Sequence, residues 1–263
     1  NRVKPGPDQY CFAGGCLLAA NHVCFAAFLY LFFFRIAPRE PEMPFRGLAA
    51  VAASVYVLAF YPVVDNLLWG QINLIVLALL CLVWHGLKRG GRDLELALPL
   101  SLAILLKSYP VLLLALLLVK RRFGAAAWAV GLVALYTAAS WAVLPQGVWG
   151  EWLTNLAPTG GYGQRPFNLF LPVAPWNHSI NGFWLFLQDR QKELFGLPLH
   201  YLTRALTYVS SAAVFGVTLW LSHLCTRSGD GRRWVDFEFC LFLQTMFLVA
   251  PLSWGHHFFY LPP

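Results

Sequence analysis

Four short polar clusters interrupt an otherwise apolar chain of 263 residues. They are Asp65-Asn66-Leu67-Leu68-Trp69-Gly70-Gln71-Ile72-Asn73, Lys107-Ser108-Tyr109-Pro110, Trp176-Asn177-His178-Ser179-Ile180-Asn181-Gly182 and Ser253-Trp254-Gly255-His256-His257. Their residue types suit a phosphate joined to a sugar. Lys107 with His256 or His257 can neutralise a phosphate through charge-assisted hydrogen bonds. The amides of Gln71, Asn73, Asn177 and Asn181 and the hydroxyls of Tyr109 and Ser179 match the donor and acceptor pattern of sugar hydroxyls. Trp176 offers a ring on which a sugar can stack, and Asp65 is a carboxylate able to take a proton from an attacking hydroxyl.

Each cluster also has a structural reading. Asp65, Gln71 and Asn73 fall where two apolar runs meet, and polar residues at such a turn cap helix ends. A lysine can snorkel to the interface, although Lys107 lies about a dozen residues from either end of its run. Asn177-His178-Ser179 formally matches a glycosylation acceptor, and paired histidines at a span end are often structural.

The elements that must position these clusters follow from composition. The chain is 59% hydrophobic and 12% charged, against roughly a quarter charged for soluble domains, so water is not its solvent. Apolar runs at about residues 17–34, 48–64, 67–87, 94–119, 123–144, 201–225 and 235–252 approach the roughly 20 residues that cross a bilayer. They predict an all-α, polytopic transmembrane helix bundle forming one domain over residues 1–263. The net charge of +7 does not indicate nucleic acid, because the basic residues cluster at the ends of runs instead of along one face. Six cysteines without a CxxC pair, and no carboxylate cluster, give no metal site and imply no cofactor; the cysteines read as small core residues.

Arg35, Arg39 and Arg46 follow the first run, Lys88, Arg89 and Arg92 the third, Lys120, Arg121 and Arg122 the fourth, and Arg227, Arg232 and Arg233 the sixth. Three in each of four connections, twelve of the 19 basic residues, make these loops cytoplasmic by the positive-inside rule. The 94–119 run has basic residues at both ends, so one crossing would put a cluster outside. Its middle holds Lys107 and Pro110; a proline lacks a backbone donor and disfavours helix before it, and a lysine in hydrocarbon is costly. A broken or re-entrant helix pair opening outward keeps both ends cytoplasmic. Residues 145–200, with Pro158, Pro166, Pro172, Pro175 and Gly160-Gly161-Tyr162-Gly163, read as an outer loop region with short interfacial helices. All four polar clusters then fall on the outer side. Seven of the 11 tryptophans (Trp69, Trp141, Trp149, Trp152, Trp176, Trp184, Trp254) lie near it.

Gly70-Gln71-Ile72-Asn73-Leu74 opening a span, followed by Lys107-Ser108-Tyr109-Pro110, Trp176-Asn177-His178-Ser179-Ile180-Asn181-Gly182 and Ser253-Trp254-Gly255-His256-His257, resembles the ordered motifs of glycosyltransferase family 87. The resemblance extends from about residue 48 to the end. That family consists of GT-C membrane enzymes, among them polyprenol-phosphate-mannose-dependent mannosyltransferases of mycobacterial glycolipid assembly. The resemblance implies a GT-C bundle in a bacterial plasma membrane. It also implies transfer of mannose or another hexose from a polyprenyl-phosphate donor to a glycan or glycolipid acceptor at the outer face, with inversion and an aspartate base. In the family the base usually lies in a first outer loop well before the Gly-Gln-x-Asn motif. Only about seventy residues precede that motif here, so the expectation is a fragment lacking an N-terminal span, that loop and its base. The base role is not carried over to Asp8, and Asp65 stands as its substitute.

A transporter or flippase for a lipid-linked or polar solute is the alternative from another class, since broken helices and a lysine at membrane depth also occur there. The one-sided placement of the polar clusters, and the lack of a visible inverted repeat, count against it. A noncatalytic membrane subunit is a further reading if the base is absent. The topology is directly testable: a single cysteine placed in the 88–93 loop of a cysteine-free protein should resist an impermeant thiol reagent added from outside, and ready labelling there would remove the outer-face placement of all four clusters.

Overall fold

The computed structural model describes residues 7–36, 47, 51–52, 55, 61–68, 71–157, 161–163, 177–195, 199–228, 233–251 and 253. Every regular element among them is helical. In chain order these are α1 (Pro7–Leu31, continued by a π turn Phe32–Ile36), α2 (Tyr61–Leu68), α3 (Asn73–Arg89), α4 (Asp93–Leu106), a 3-10 turn (Tyr109–Leu112), α5 (Leu113–Val119), α6 (Phe123–Val143), α7 (Gln146–Glu151), a π turn (Trp152–Leu156), α8 (Ile180–Phe195), α9 (His200–Arg227) and α10 (Val235–Val249).

Lys88, Arg89, Lys120 and Arg122 gather at one end of the bundle, where carboxylates receive them. Lys88 Nζ donates to the Ile36 carbonyl at 2.7 Å and to Asp236 Oδ2 at 2.8 Å, and Trp84 Nε1 donates to Asp236 Oδ1 at 2.8 Å. These bonds collect the ends of α1 and α3 and the start of α10. The α3–α4 turn is short because Gly90 takes a left-handed φ of 70°, a conformation that costs glycine little. Arg89 pairs with Glu95 at 2.7 Å, and Arg122 spans to Asp93 at 2.9 Å and to the Gly91 carbonyl, which ties the start of α6 to the start of α4. Helices α3, α5 and α9 therefore run away from or toward this basic end in antiparallel partnership with α4 and α10.

α3 and α10 form the centre. α3 packs on α1, α4 and α10, and α10 packs on α3, α5, α8, α9 and the 3-10 turn. Leu74, Val76, Leu80, Leu100, Leu113, Phe242 and Met246 are almost fully buried there, and Trp84 stacks on Phe239 with centroids 5.2 Å apart. Among the described residues three stretches are long and apolar enough to cross a membrane: Gly14–Ile36, Phe123–Val143 and His200–Arg227. They are also the outer ones, exposing Val23, Tyr30, Trp128, Leu135, Tyr201, Val209 and Trp220. An exposed apolar surface of this kind fits an integral membrane protein. The central helices α3, α4 and α10 have 17, 14 and 15 residues, shorter than a full bilayer crossing of roughly 20. Flanked by protein, they need not match the hydrocarbon thickness by themselves.

Several sequence expectations are refined. The first apolar run, placed at 17–34, belongs to a helix that starts at Pro7. In the connection expected between the second and third runs, at about 65–71, α2 continues to Leu68 and α3 starts at Asn73. Most of the expected 48–64 run lies outside the described residues. Within 145–200, α8 is a 16-residue helix packed on α9, longer than a surface turn. Of the cysteines expected in the core, Cys81 is buried while Cys16 is exposed, and both carry free thiols.

Candidate functional site

The segment from Asp93 to Val119 reaches the end of the bundle opposite the basic residues and turns back. α4 stops at Leu106, where Lys107 turns extended at φ −147° and closes the helix by donating its N–H to Ala103 at 2.9 Å. Pro110 stands in the first turn of the following 3-10 helix, where its missing donor leaves no intrahelical bond unmade. Val111 N–H donates to the Ser108 carbonyl at 3.1 Å, so the break is a hydrogen-bonded corner. Here Lys107 Nζ stands 5.8 Å from the Tyr109 ring centroid, a cation facing a π surface.

Tyr109 joins this corner to two other helices. Its hydroxyl donates to Asn73 Oδ1 at 3.4 Å, at the long end of the range, and its ring meets Phe247 of α10 edge-on at 5.8 Å. Asn73 is fully buried in the first turn of α3. The turn before it is closed by Gln71 N–H donating to the Asn66 carbonyl at 3.0 Å, while Asn66 Nδ2 reaches back to the Gln71 carbonyl at 3.4 Å. Asp65, on α2, is the residue before Asn66, and both Asp65 and Gln71 are half-buried.

One turn beyond Phe247, α10 ends at Ala250 and Pro251, and the third cluster is fastened there. Asn177 Oδ1 accepts from Ser253 N–H at 3.0 Å, from Ser179 Oγ at 2.9 Å and from Ser179 N–H at 3.3 Å. His178 N–H donates to the Ser253 carbonyl at 2.8 Å. The Pro251 carbonyl accepts from Asn181 Nδ2 at 2.8 Å, Ser179 Oγ at 3.3 Å and Asn177 Nδ2 at 3.4 Å. Ser179 also caps α8, its Oγ accepting from Gly182 N–H at 3.0 Å, the usual service of an N-cap serine. The cluster is thus a knot between the start of α8 and the end of α10. Asn181 Oδ1 and Ser253 Oγ are buried there and carry no hydrogen bond among the described residues.

Asn73, Lys107 and Tyr109 form one set and Asn177, Ser179 and Asn181 another, linked through α10 from Phe247 to Pro251. Trp176, His256 and His257 lie outside the described residues. The sequence did not point to Phe247, which looks like any other member of an apolar run, nor to the Pro251 carbonyl, since a backbone acceptor leaves no mark in residue type. It also missed Tyr162, whose hydroxyl lies 2.8 Å from Gln188 Oε1 and 2.6 Å from Thr203 Oγ1 and so fixes its turn on α8 and α9. Burial pushes this phenol above its ordinary pKa, opposed by its hydrogen bond with Thr203.

The sequence has relatives among characterised proteins. The family model of glycosyltransferase family 87 matches residues 7–251. An alpha-(1->3)-arabinofuranosyltransferase of Mycolicibacterium smegmatis is 26% identical over 217 residues, covering 80% of this chain and 45% of the relative. A polyprenol-phosphate-mannose-dependent alpha-(1-2)-phosphatidylinositol mannoside mannosyltransferase of Mycobacterium tuberculosis is 24% identical over 229 residues, covering 87% of this chain and 48% of the relative. The chain therefore spans about half the length of these relatives. No solved structure matches.

The knot makes a specific demand at Gly182. A Cβ there would lie 2.3 Å from the Asn177 carbonyl oxygen and 2.6 Å from Asn177 Cγ, so the backbone itself would have to move. Gly182→Ala should destabilise by about 2 kcal/mol, seen as a fall of roughly 4–8 °C in the thermal midpoint of the detergent-solubilised protein. An unchanged midpoint would mean that α8 and α10 are not tied in this way.

Proposed function

Because the chain belongs to glycosyltransferase family 87, we propose that it transfers a sugar, mannose or another hexose, from a polyprenyl-phosphate donor to a glycan or glycolipid acceptor. The reaction takes place at the outer face of a bacterial plasma membrane, which the chain crosses several times as a GT-C bundle. The observation that carries this reading is the corner at Lys107. It brings a cation, the Tyr109 hydroxyl and the Asn73 amide together at the end of the bundle opposite the basic loops. That is where a lipid phosphate in the outer leaflet would present its sugar. The M. tuberculosis relative depends on polyprenol-phosphate-mannose, which supports the donor class. The arabinofuranosyl specificity of the other relative leaves the sugar to be established by assay.

In this mechanism an acceptor hydroxyl attacks the anomeric carbon while the bond from that carbon to the phosphate oxygen breaks. The hydroxyl proton passes to a carboxylate base, and the electron pair leaves with the phosphate. Inversion follows from attack opposite the leaving group. Lys107 and one of His256 and His257 offset the negative charge on the departing phosphate, a stabilisation aimed at the transition state. Gln71, Asn73, Tyr109, Trp176 and Asn181 orient the sugars, and Asn177 and Ser179 present Asn181 by holding the knot at Pro251. Asp65 is the base candidate within this chain, and a base in the remaining half of a longer protein is the competing assignment. The mechanism uses no metal or cofactor. A flippase would move the lipid-linked sugar unaltered, whereas this reaction yields a new glycoside and free polyprenyl phosphate.

Two substitutions test the phosphate site in the full-length protein. Lys107→Ala should lower kcat/KM for the polyprenyl-phosphate donor at least about tenfold, about 1.4 kcal/mol of transition-state stabilisation, with expression and thermal midpoint held. Lys107→Arg should recover only part of it, because a guanidinium differs from an ammonium in shape and reach. Undiminished transfer by Lys107→Ala would end the phosphate role. At the histidine pair the expected result is asymmetric. Neighbouring residues on a helix point about 100° apart, so alanine at one of His256 and His257 should cost about tenfold or more and at the other much less. Two equal, small losses would return the pair to a structural role.

A further inference from the structure

At the basic end, away from the candidate site, Glu238 of α10 is completely buried and forms an ion pair with Lys120, whose side chain is 10% exposed. The carboxylate is further held by Ser222 Oγ, which donates to Oε1 at 2.8 Å, and by Thr226 Oγ1 at 3.3 Å, both from α9. Two turns along the same helix pair, the Thr218 and Thr245 hydroxyls meet at 2.6 Å. Three helices thus converge on one buried carboxylate that the proposed chemistry does not use. A buried ion pair is weak evidence for stability, since an apolar pair of similar volume is often as stable; its best-attested use is to specify register.

The apolar contacts of α5 on α10 specify register weakly by themselves. α5 has seven residues, Leu113-Leu114-Ala115-Leu116-Leu117-Leu118-Val119, nearly uniform in shape and polarity. Sliding it by one turn along α10 would exchange one leucine for another in the same contacts. Apolar packing is non-directional and discriminates such a slip poorly, whereas a charge with one buried partner discriminates it strongly. Lys120 closes the C-terminal end of α5, donating its N–H to Leu116 at 2.9 Å, so the charge is fixed to the helix and not on a loose tail. The opposite end of the same segment is the 3-10 turn with Tyr109, and the opposite end of α10 carries Phe247, the residue Tyr109 touches. The ion pair and the aromatic contact are the two ends of one helix–helix alignment.

We propose that Lys120 and Glu238 are positioning residues that set the depth of α5 against α10 and thereby hold Lys107 and Tyr109 opposite Phe247. The statement about depth stands on geometry. Its consequence for sugar transfer rests on the function proposed above.

The test uses the full-length protein with native cysteines replaced and spin labels at Val111 and Leu248. Both residues are exposed and adjoin Tyr109 or Phe247 closely in sequence. Pulsed electron paramagnetic resonance should give one narrow distance in the parent. In Lys120→Met/Glu238→Leu, chosen to remain folded, the distance should shift or split by up to about 5 Å, one helical turn, and kcat for transfer should fall at least fivefold while the donor KM stays within twofold. In the swapped pair Lys120→Glu/Glu238→Lys the parent distance and most of kcat should return. A folded apolar variant with the parent distance would overturn the proposal. If the apolar variant fails to fold, the swapped pair decides alone: the parent distance supports the proposal, and a displaced distance overturns it. Distances that behave as stated in a parent protein unable to transfer sugar would leave the positioning claim standing and remove the proposed function instead.

Discussion

In a bilayer a helix can be interrupted only where protein or water takes up the backbone groups it releases. Between Leu106 and Leu113 this chain meets that constraint with a corner: Lys107 bonds back to Ala103, Val111 bonds to Ser108, and Pro110 removes a donor that would otherwise need a partner. Much of the rest depends on the corner. It lets the run leave the basic end as α4 and return to it as α5. It places Lys107 at the far end of the bundle without a loop that lipid would have to accommodate. It also turns Tyr109 toward Asn73 and Phe247, so α3 and α10 close around the break.

The two ends of the bundle are held by different chemistry. At one, lysines and arginines meet Asp93, Glu95, Asp236 and Glu238. At the other, neutral amides and hydroxyls converge on backbone groups of Pro251 and Ser253. The division has a physical logic. Ion pairs gather the helix ends where the basic loops turn, whereas amides bonded to carbonyls stiffen the opposite end, where α8 starts and α10 stops.

Much of this could be read before the fold was known. Helical class, the basic end, the break at Lys107–Pro110 and the family resemblance all rest on residue type and order, which a linear sequence carries fully. Pro110 after Lys107-Ser108-Tyr109 announces a break because its chemistry is local, although Pro99 is accommodated inside α4. Clusters of arginine announce an end because charge is excluded from hydrocarbon wherever the helices go. The roles within Asn177-His178-Ser179-Ile180-Asn181-Gly182 were not legible. As residue types they looked like a set of sugar-binding groups, yet Asn177 and Ser179 direct their polar atoms to Ser253 and Pro251 and Gly182 is required by the closeness of Asn177.

The sequence by itself therefore determined the apolar character, the helical class, the gathering of basic residues at one end and the family, since each depends on residue type and order or on partition between water and lipid. Only the tertiary structure decided which polar atoms are spent on the protein, because that depends on partners far apart in the chain. It paired Tyr109 with Phe247, 138 positions away, and gave Glu238 a partner in Lys120 that no spacing rule connects. Hydrogen bonds and ion pairs are short-ranged and directional, so their identity is settled by how helices pack and not by where residues stand in order.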